Sequence, residues 1–252
     1  MKLKGKIAVV TGASSGMGRA ISVLFAKEGA SVFAIARRKE KLDDLVNESK
    51  NLEGSIVAFQ GDVTQKDSME NILDEVFDKS GRIDILVNNA GIMDDMMPAG
   101  EVSDELWNKV IDVNLNSPLY LCRKTINLMM DKGTCNIINV ASVGGLYGSR
   151  AGPAYTASKF GLIGLTKNIG FMYANKGIRC NAICPGGVET EIGVGMKNPS
   201  QFGMEKAMSG AGYNPRSGSS EEIANIALFL ASDDSSFVNG TTIVADSGWT
   251  AY

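Results

Sequence analysis

The chain contains no histidine, and only four of its 252 residues are cysteine: Cys122, Cys135, Cys180 and Cys184. Without histidine there is no Ser-His-Asp or Cys-His triad, so Ser142 and the four thiols lack the usual base. No CxxC pair occurs. A zinc site would have to be assembled from scattered thiolates and carboxylates, and no metal is expected. Long apolar runs are missing too, which speaks against a membrane span. The opening Met1-Lys-Leu-Lys-Gly-Lys-Ile-Ala-Val-Val10 is basic but soon leaves its short apolar run for Thr11-Gly12, with no small-residue cleavage pattern. It reads as no signal peptide, and a cytoplasmic protein with reduced thiols is expected. Basic clusters are confined to Lys2, Lys4 and Lys6 and to residues 37–41, and the net charge is −3, which argues against a nucleic-acid face.

What is present is an alternation. Short apolar runs at 7–10, 32–35, 56–59, 83–87, 136–140, 178–182 and 241–244 are separated by helix-period stretches at 17–28, 39–50, 66–79, 103–130, 153–174 and 220–231. Near-continuous apolar runs suit strands buried on both faces, as in a parallel sheet. Repeated strand–helix alternation predicts one α/β domain over residues 1–252, a Rossmann-like doubly wound parallel sheet of about seven strands with helices on both faces. Residues 191–215 break the rhythm, mixing Gly, Met, Phe and Tyr without a clean period. An insertion of this length reads as a substrate lid.

The first strand runs into Thr11-Gly12-Ala13-Ser14-Ser15-Gly16-Met17-Gly18, and a helix starts at once. Glycines permit a tight turn and close backbone approach, while a helix N-terminus offers unpaired N–H groups to a pyrophosphate. A dinucleotide fold commonly places an acid about 20 residues on, where it holds the adenosine ribose. Here the second strand ends in Ala36-Arg37-Arg38-Lys39. Cations in that place favour a 2′-phosphate, through charge-assisted hydrogen bonds worth roughly 1.5–3 kcal/mol each. NADP(H) is therefore expected over NAD(H), with Arg37 as the main grip and Ser14 and Arg38 in support.

Tyr155 and Lys159 stand four apart in a predicted helix, on one face. A neighbouring ammonium would favour phenolate and pull the tyrosine down from about 10. Such a tyrosine can give a proton to a carbonyl or take one from an alcohol. Ser142, Asn88-Asn89-Ala90-Gly91 and Pro185-Gly186 each follow a predicted strand, at the carboxyl edge where open α/β sheets bind ligands.

Taken together, TGxxxGxG at 11–18, NNAG at 88–91, Asn114, Ser142, YxxxK at 155–159 and PG at 185–186 resemble the short-chain dehydrogenase/reductase family, β-ketoacyl-reductase-like and hydroxysteroid-dehydrogenase-like members among them. The resemblance covers essentially the whole chain. It implies Tyr155 as general acid/base, Lys159 lowering its pKa and binding the nicotinamide ribose, Ser142 bonding the substrate oxygen, and Asn114 holding a relay water. It implies a nucleotide site of Gly12, Ser14, Ser15, Gly16, Met17, Gly18, Arg37, Arg38, Asp62, Val63, Asn89, Ala90, Gly91, Tyr155, Lys159, Pro185, Gly186, Val188 and Thr190. In it Asp62 would bond the adenine, Asn88 with Ala90 and Gly91 would flank the adenosine, and Thr190 would bind the carboxamide. Many NADP-dependent members carry a basic residue within the glycine turn; Ser15 stands there instead, so NADP preference rests on the cations after the second strand.

The substrate pocket is expected from Met93, Ser142, Leu146, Tyr147, Tyr155, Met196 and Phe202, with Met96, Met97, Met204, Met208 and Tyr213 nearby. Thioethers and aromatics suit a bulky apolar ketone, whether a hydroxysteroid, a β-ketoacyl thioester or a simple ketone. Two alternatives are an NAD-dependent sugar or alcohol dehydrogenase of the same fold, and a non-catalytic nucleotide-binding regulator. The partner is a small molecule, and the resemblance implies a homotetramer or homodimer packed through the helices near 103–130 and 153–174. The tail 240–252 is apolar enough to dock on a neighbouring subunit.

Overall fold

A computed structural model describes residues 1–130 and 132–251. Its strands β1 (Ile7–Thr11), β2 (Ser31–Ala36), β3 (Ser55–Gln60), β4 (Ile85–Asn88), β5 (Cys135–Val140), β6 (Ile178–Pro185) and β7 (Thr242–Ala245) form one sheet in the order β3-β2-β1-β4-β5-β6-β7. Every pairing is parallel. β1 lies between β2 and β4, so the order reverses beside it and opens a crevice at the carboxyl ends of β1 and β4.

The period of two along each strand feeds two cores. Ala8 and Val10 face a cluster completed by Phe25, Leu42, Leu45 and Leu228, from helices α1 (Gly16–Lys27), α2 (Lys39–Glu48) and α8 (Ser220–Ala231). Val9 points the other way, to Met69, Leu73, Leu121 and Ile169. These come from α3 (Lys66–Ser80), α5 (Ser117–Met129) and α6 (Pro153–Met172). Burial on both faces is the reason the strands read as unbroken apolar runs.

Two expectations need correction. The helix expected over 103–130 is two helices, α4 (Asp104–Ile111) and α5, joined by one π-helical turn at Asp112–Asn116. The extra residue in that turn, followed by Pro118 with no N–H to give, rotates the register and carries Asn114 inward to full burial. The stretch 191–215 is not irregular throughout: it contains α7 (Gln201–Ser209) between two short 3₁₀ turns, Ile192–Gly195 and Ala211–Tyr213. α7 buries no side chain fully, which is why no clean apolar period marks it.

The tail docks on its own chain. Trp249 is buried, its Nε1 donates to the Gly210 carbonyl at 2.9 Å, and the Arg150 guanidinium lies 4.1 Å from its ring centre. Tyr252, the end of that tail, lies outside the described residues. No described helix is long and apolar enough to cross a membrane.

Candidate active site

The glycine turn after β1 is held by the strand beside it. Thr11 Oγ1 accepts the backbone N–H groups of Asn89 (3.0 Å) and Ala90 (3.2 Å), while Asn89 Nδ2 donates to the carbonyls of Thr11 (3.0 Å) and Gly12 (3.3 Å). Gly12 has φ +66° and its Cβ would lie 2.7 Å from Asn89 Nδ2, so both conformation and space demand glycine. α1 then begins at Gly16, and the Ser15 side chain does not cap it. Its first N–H groups therefore stand without a side-chain partner at the wall of a cleft of about 390 Å³.

That cleft brings together Gly12, Ser14, Ser15, Gly16, Met17, Arg37, Arg38, Asp62, Val63, Asn89, Ala90, Gly91 and Thr190 from the expected nucleotide set, and adds Ile92, Val113, Glu191, Ile192 and Val194. Pro185, Gly186 and Val188 do not border it. Gly186 instead packs on Asp246, and Val188 bridges to Gly218. Gly18 sits behind the turn, against Asn89 and the Gly12 carbonyl. Asn88 is no flank of the adenosine: it is buried inside the sheet, with Nδ2 donating to Asn139 Oδ1 at 2.8 Å. Asp62 Oδ1 accepts from the N–H and hydroxyl of Thr64, which closes the loop after β3.

The two arginines part company. Among the described residues Arg37 makes no side-chain bond, whereas Arg38 crosses the glycine turn. Its Nε and Nη2 reach Ser14 Oγ (3.2 and 3.0 Å), and Nη2 reaches Ser15 Oγ (2.7 Å). Arg38 is thus the cation the fold holds over the turn, where the sequence pointed first to Arg37.

Ser142, Tyr155 and Lys159 meet where β5 ends against α6. Ser142 starts a 3₁₀ turn, Val143–Gly145, and its Oγ accepts the Gly144 N–H at 3.0 Å, leaving the O–H to donate elsewhere. The glycines after it let α6 come close: a Cβ on Gly145 would lie 2.8 Å from the Lys159 backbone, and one on Gly144 3.3 Å from the Tyr155 ring. Lys159 is 3% exposed, donates to the Val140 carbonyl at 2.8 Å, and has its Nζ 5.5 Å from the centre of the Tyr155 ring.

The expected lowering of the tyrosine is not seen. Burial raises the Tyr155 phenol to about 12, against a downward pull from the Ser142 hydroxyl, with the Asp94 charge adding to the rise. Burial likewise lowers Lys159 to about 8, so the ammonium that was to favour phenolate is itself disfavoured. Asn114 accepts the Ile92 N–H at 2.9 Å, and its amide donates to the Ile92 carbonyl and to Ser158 Oγ. Its side chain thus braces the strip between cleft and helix.

Asp94 was missed. It is fully buried and accepts the N–H of Gly152 (3.0 Å) and of Tyr155 (2.8 Å), capping α6 from a loop 58 positions or more away. Asp95 and Met96 beside it adopt φ +57° and +53°, a strained region for non-glycine residues. Asp95 Oδ1 accepts the N–H of Lys197 at 3.1 Å, and a Cβ on Gly203 would lie 1.7 Å from the Met96 carbonyl oxygen. The loop after β4 therefore fixes both α6 and the 191–215 segment. The signal available was an acid just after Asn-Asn-Ala-Gly, with an uncapped Gly152-Pro153 helix start elsewhere.

Of the expected substrate residues, Met93 packs with Ile192 against Ala154 and Tyr155, and Leu146 packs against Leu162 and Ile163. Phe202, Met96 and Met97 line a second cleft of about 510 Å³ with Thr156 and Lys206. Met196 lies by Gly193 in the first 3₁₀ turn of the segment, and the Tyr147 hydroxyl reaches the Thr250 carbonyl. Among the described residues no group of three or more Cys, Asp or Glu could hold a metal ion.

A family model described as short chain dehydrogenase matches residues 6–200. The chain is 47% identical to 3beta-hydroxysteroid dehydrogenase 2 of Eggerthella lenta over 99% of its length and 96% of that protein's. It is 40% identical to the 3-oxoacyl-[acyl-carrier-protein] reductase FabG of Thermotoga maritima, over 98% and 99% of the two. Among solved structures, a candidate NAD(P)-dependent gluconate 5-dehydrogenase from Beutenbergia cavernae, with bound NADP at low occupancy, superposes with TM-score 0.89 at 35% identity, covering 100% and 99% of the chains.

Proposed function

The chain belongs to the short-chain dehydrogenase/reductase family and is an NAD(P)-dependent oxidoreductase acting on CH–OH groups, and from that premise we propose that it reduces bulky apolar ketones with NADPH, hydroxysteroid-type ketones first among them. The glycine turn, the uncapped start of α1 and the cleft between β1 and β4 fit a dinucleotide. The observation that carries the reading is the meeting of half-buried Ser142 with buried Tyr155 and Lys159 beside that cleft.

When bound, the nicotinamide supplies the hydride for reduction or accepts it in the reverse sense. The residues handle the proton. A buried phenol held neutral at pH 7 is an acid in waiting, and Tyr155 gives its proton to the substrate oxygen as negative charge develops there. Ser142, whose Oγ already accepts from Gly144, donates its O–H to the same oxygen. Lys159, lowered to about 8, offers positive charge to the phenolate left behind. Asp94 and the two glycines at 144–145 hold α6 so that these groups stay together.

Arg38, bridged to Ser14 and Ser15, supports NADPH as the preferred nucleotide. The steroid- and acyl-directed names of the relatives support an apolar substrate. Phe160, Phe171 and Met172 stand exposed on α6, which supports a dimer or tetramer packed through that helix.

Two measurements test the proposal. Tyr155→Phe should lose at least about a hundredfold in turnover of a 3-keto steroid while binding nucleotide as before; unchanged turnover removes the catalytic assignment. Affinities for NADPH and NADH should show a preference for NADPH that collapses in Arg38→Ala and falls less in Arg37→Ala. Equal affinities in the wild type would point instead to an NAD-dependent alcohol or sugar dehydrogenase.

A further inference from the structure

Across the cleft from the glycine turn, one carboxylate is spanned by two cations. Arg38 Nη1 donates to Glu191 Oε2 at 2.7 Å, and Lys41 Nζ donates to Glu191 Oε1 at 2.6 Å. Glu191 is separated from both by 150 positions or more, and it opens the segment that runs on to α7. The Arg38 guanidinium that holds it also holds Ser14 and Ser15 Oγ. Both cations keep the Glu191 carboxyl ionised, well below the usual carboxylate range at about 2.

Two cations on one anion, one of them also bonded to two hydroxyls, are the groups a phosphate monoester uses, through charge-assisted bonds to several of its oxygens. Glu191 lines the same cleft as Ser14, Ser15, Arg37 and Arg38. We propose that Glu191 is a built-in anion occupying the binding place of the nucleotide 2′-phosphate, so that it sets the discrimination between NADP(H) and NAD(H). The inference rests on Arg38 reading a 2′-phosphate. A phosphate dianion must displace the carboxylate to bind the pair, whereas an unphosphorylated ribose leaves it in place. The sequence shows cations suited to NADPH; the fold adds the competitor that tempers them.

Calorimetric titration at fixed ionic strength, with adenosine 2′,5′-bisphosphate and 5′-AMP as probes, tests this without turnover. Each exposed ion pair contributes little, so Glu191→Gln should bind the bisphosphate about 3- to 10-fold more tightly. Its affinity for 5′-AMP should stay at the wild-type value, which also reports an intact site. Adding Lys41→Gln to that variant should return the bisphosphate affinity toward wild type. A wild type that prefers the bisphosphate, with no gain in Glu191→Gln, overturns the competitor role and leaves the NADP reading standing. Equal affinities for both probes in both proteins remove the two together. Parallel changes for both probes overturn the inference as well, because competition is specific to the 2′-phosphate.

Discussion

Replacing Lys159 by methionine should stabilise the fold while abolishing turnover. The ammonium is almost wholly buried, and it donates a hydrogen bond to the Val140 carbonyl. Burial lowers it from 10.5 to about 8. At about 1.4 kcal/mol per pH unit, that interval amounts to roughly 3 kcal/mol by which the charged lysine disfavours the folded chain at pH 7. The folded pKa lies below the unfolded one, so between about pH 8 and 10.5 the unfolded chain binds more protons. Wild-type stability therefore rises with pH through that window. Methionine keeps the apolar stem and removes the charge, while losing the Val140 bond returns about 1 kcal/mol. The variant should gain about 1–2 kcal/mol at pH 7, roughly 3–6 °C in Tm for a chain of this size. Urea unfolding at pH 7 and pH 10 reads both terms. At pH 10 the wild-type lysine is largely neutral, so the advantage should vanish or reverse. A variant weaker than wild type at pH 7, or a difference that ignores pH, would refute the claim that desolvation of this lysine opposes folding.

Two further perturbations probe the loop after β4. Asp94→Ala strips the acceptor from the buried N–H groups of Gly152 and Tyr155, and orphaning two such donors should cost roughly 2–5 kcal/mol. Asn, with one acceptor, should fall between, so thermal melts should rank wild type above Asp94→Asn above Asp94→Ala; three coincident melts would remove Asp94 as the cap of α6. Gly203→Ala forces α7 off the Met96 carbonyl. Because α7 buries no side chain fully, the release should be local: faster proteolysis within 196–213 and a raised KM for the ketone, with global Tm moved by less than about 2 °C. An unchanged cleavage pattern would mean that α7 does not depend on that approach.

Much of the site was legible because its parts are local. Tyr155 and Lys159 share a helix face at four-residue spacing, and the glycine turn is contiguous with β1 and α1. Seven apolar runs became seven strands because a parallel sheet hides both faces. The misreadings share one cause. Asn88 looked like part of a binding edge, but its neighbours Asn139 and Cys122 come from distant segments and make it a strut inside the sheet. Asp94 and Glu191 carry no periodic signal, since each acts on groups far along the chain. The π turn at Asp112–Asn116 leaves the apolar pattern nearly unbroken, so one long helix was the natural reading.

Composition excluded histidine-based chemistry, and the resemblance carried by the ordered motifs gave the reaction class. They also determined the doubly wound sheet and the short list of groups able to move a proton. Tertiary structure decided the state of those groups. The ammonium expected to lower the Tyr155 pKa lies beside it, yet both are buried, and desolvation raises one and lowers the other toward neutrality. It also decided which arginine lies over the glycine turn: Arg37 and Arg38 are adjacent in sequence, but among the described residues it is Arg38 that is drawn across the turn by Ser14, Ser15 and Glu191. Spacing along a chain names the chemical groups in reach of one another. Their charge and their partners depend on the water excluded around them and on what arrives from elsewhere in the fold, and both are set only when the chain closes on itself.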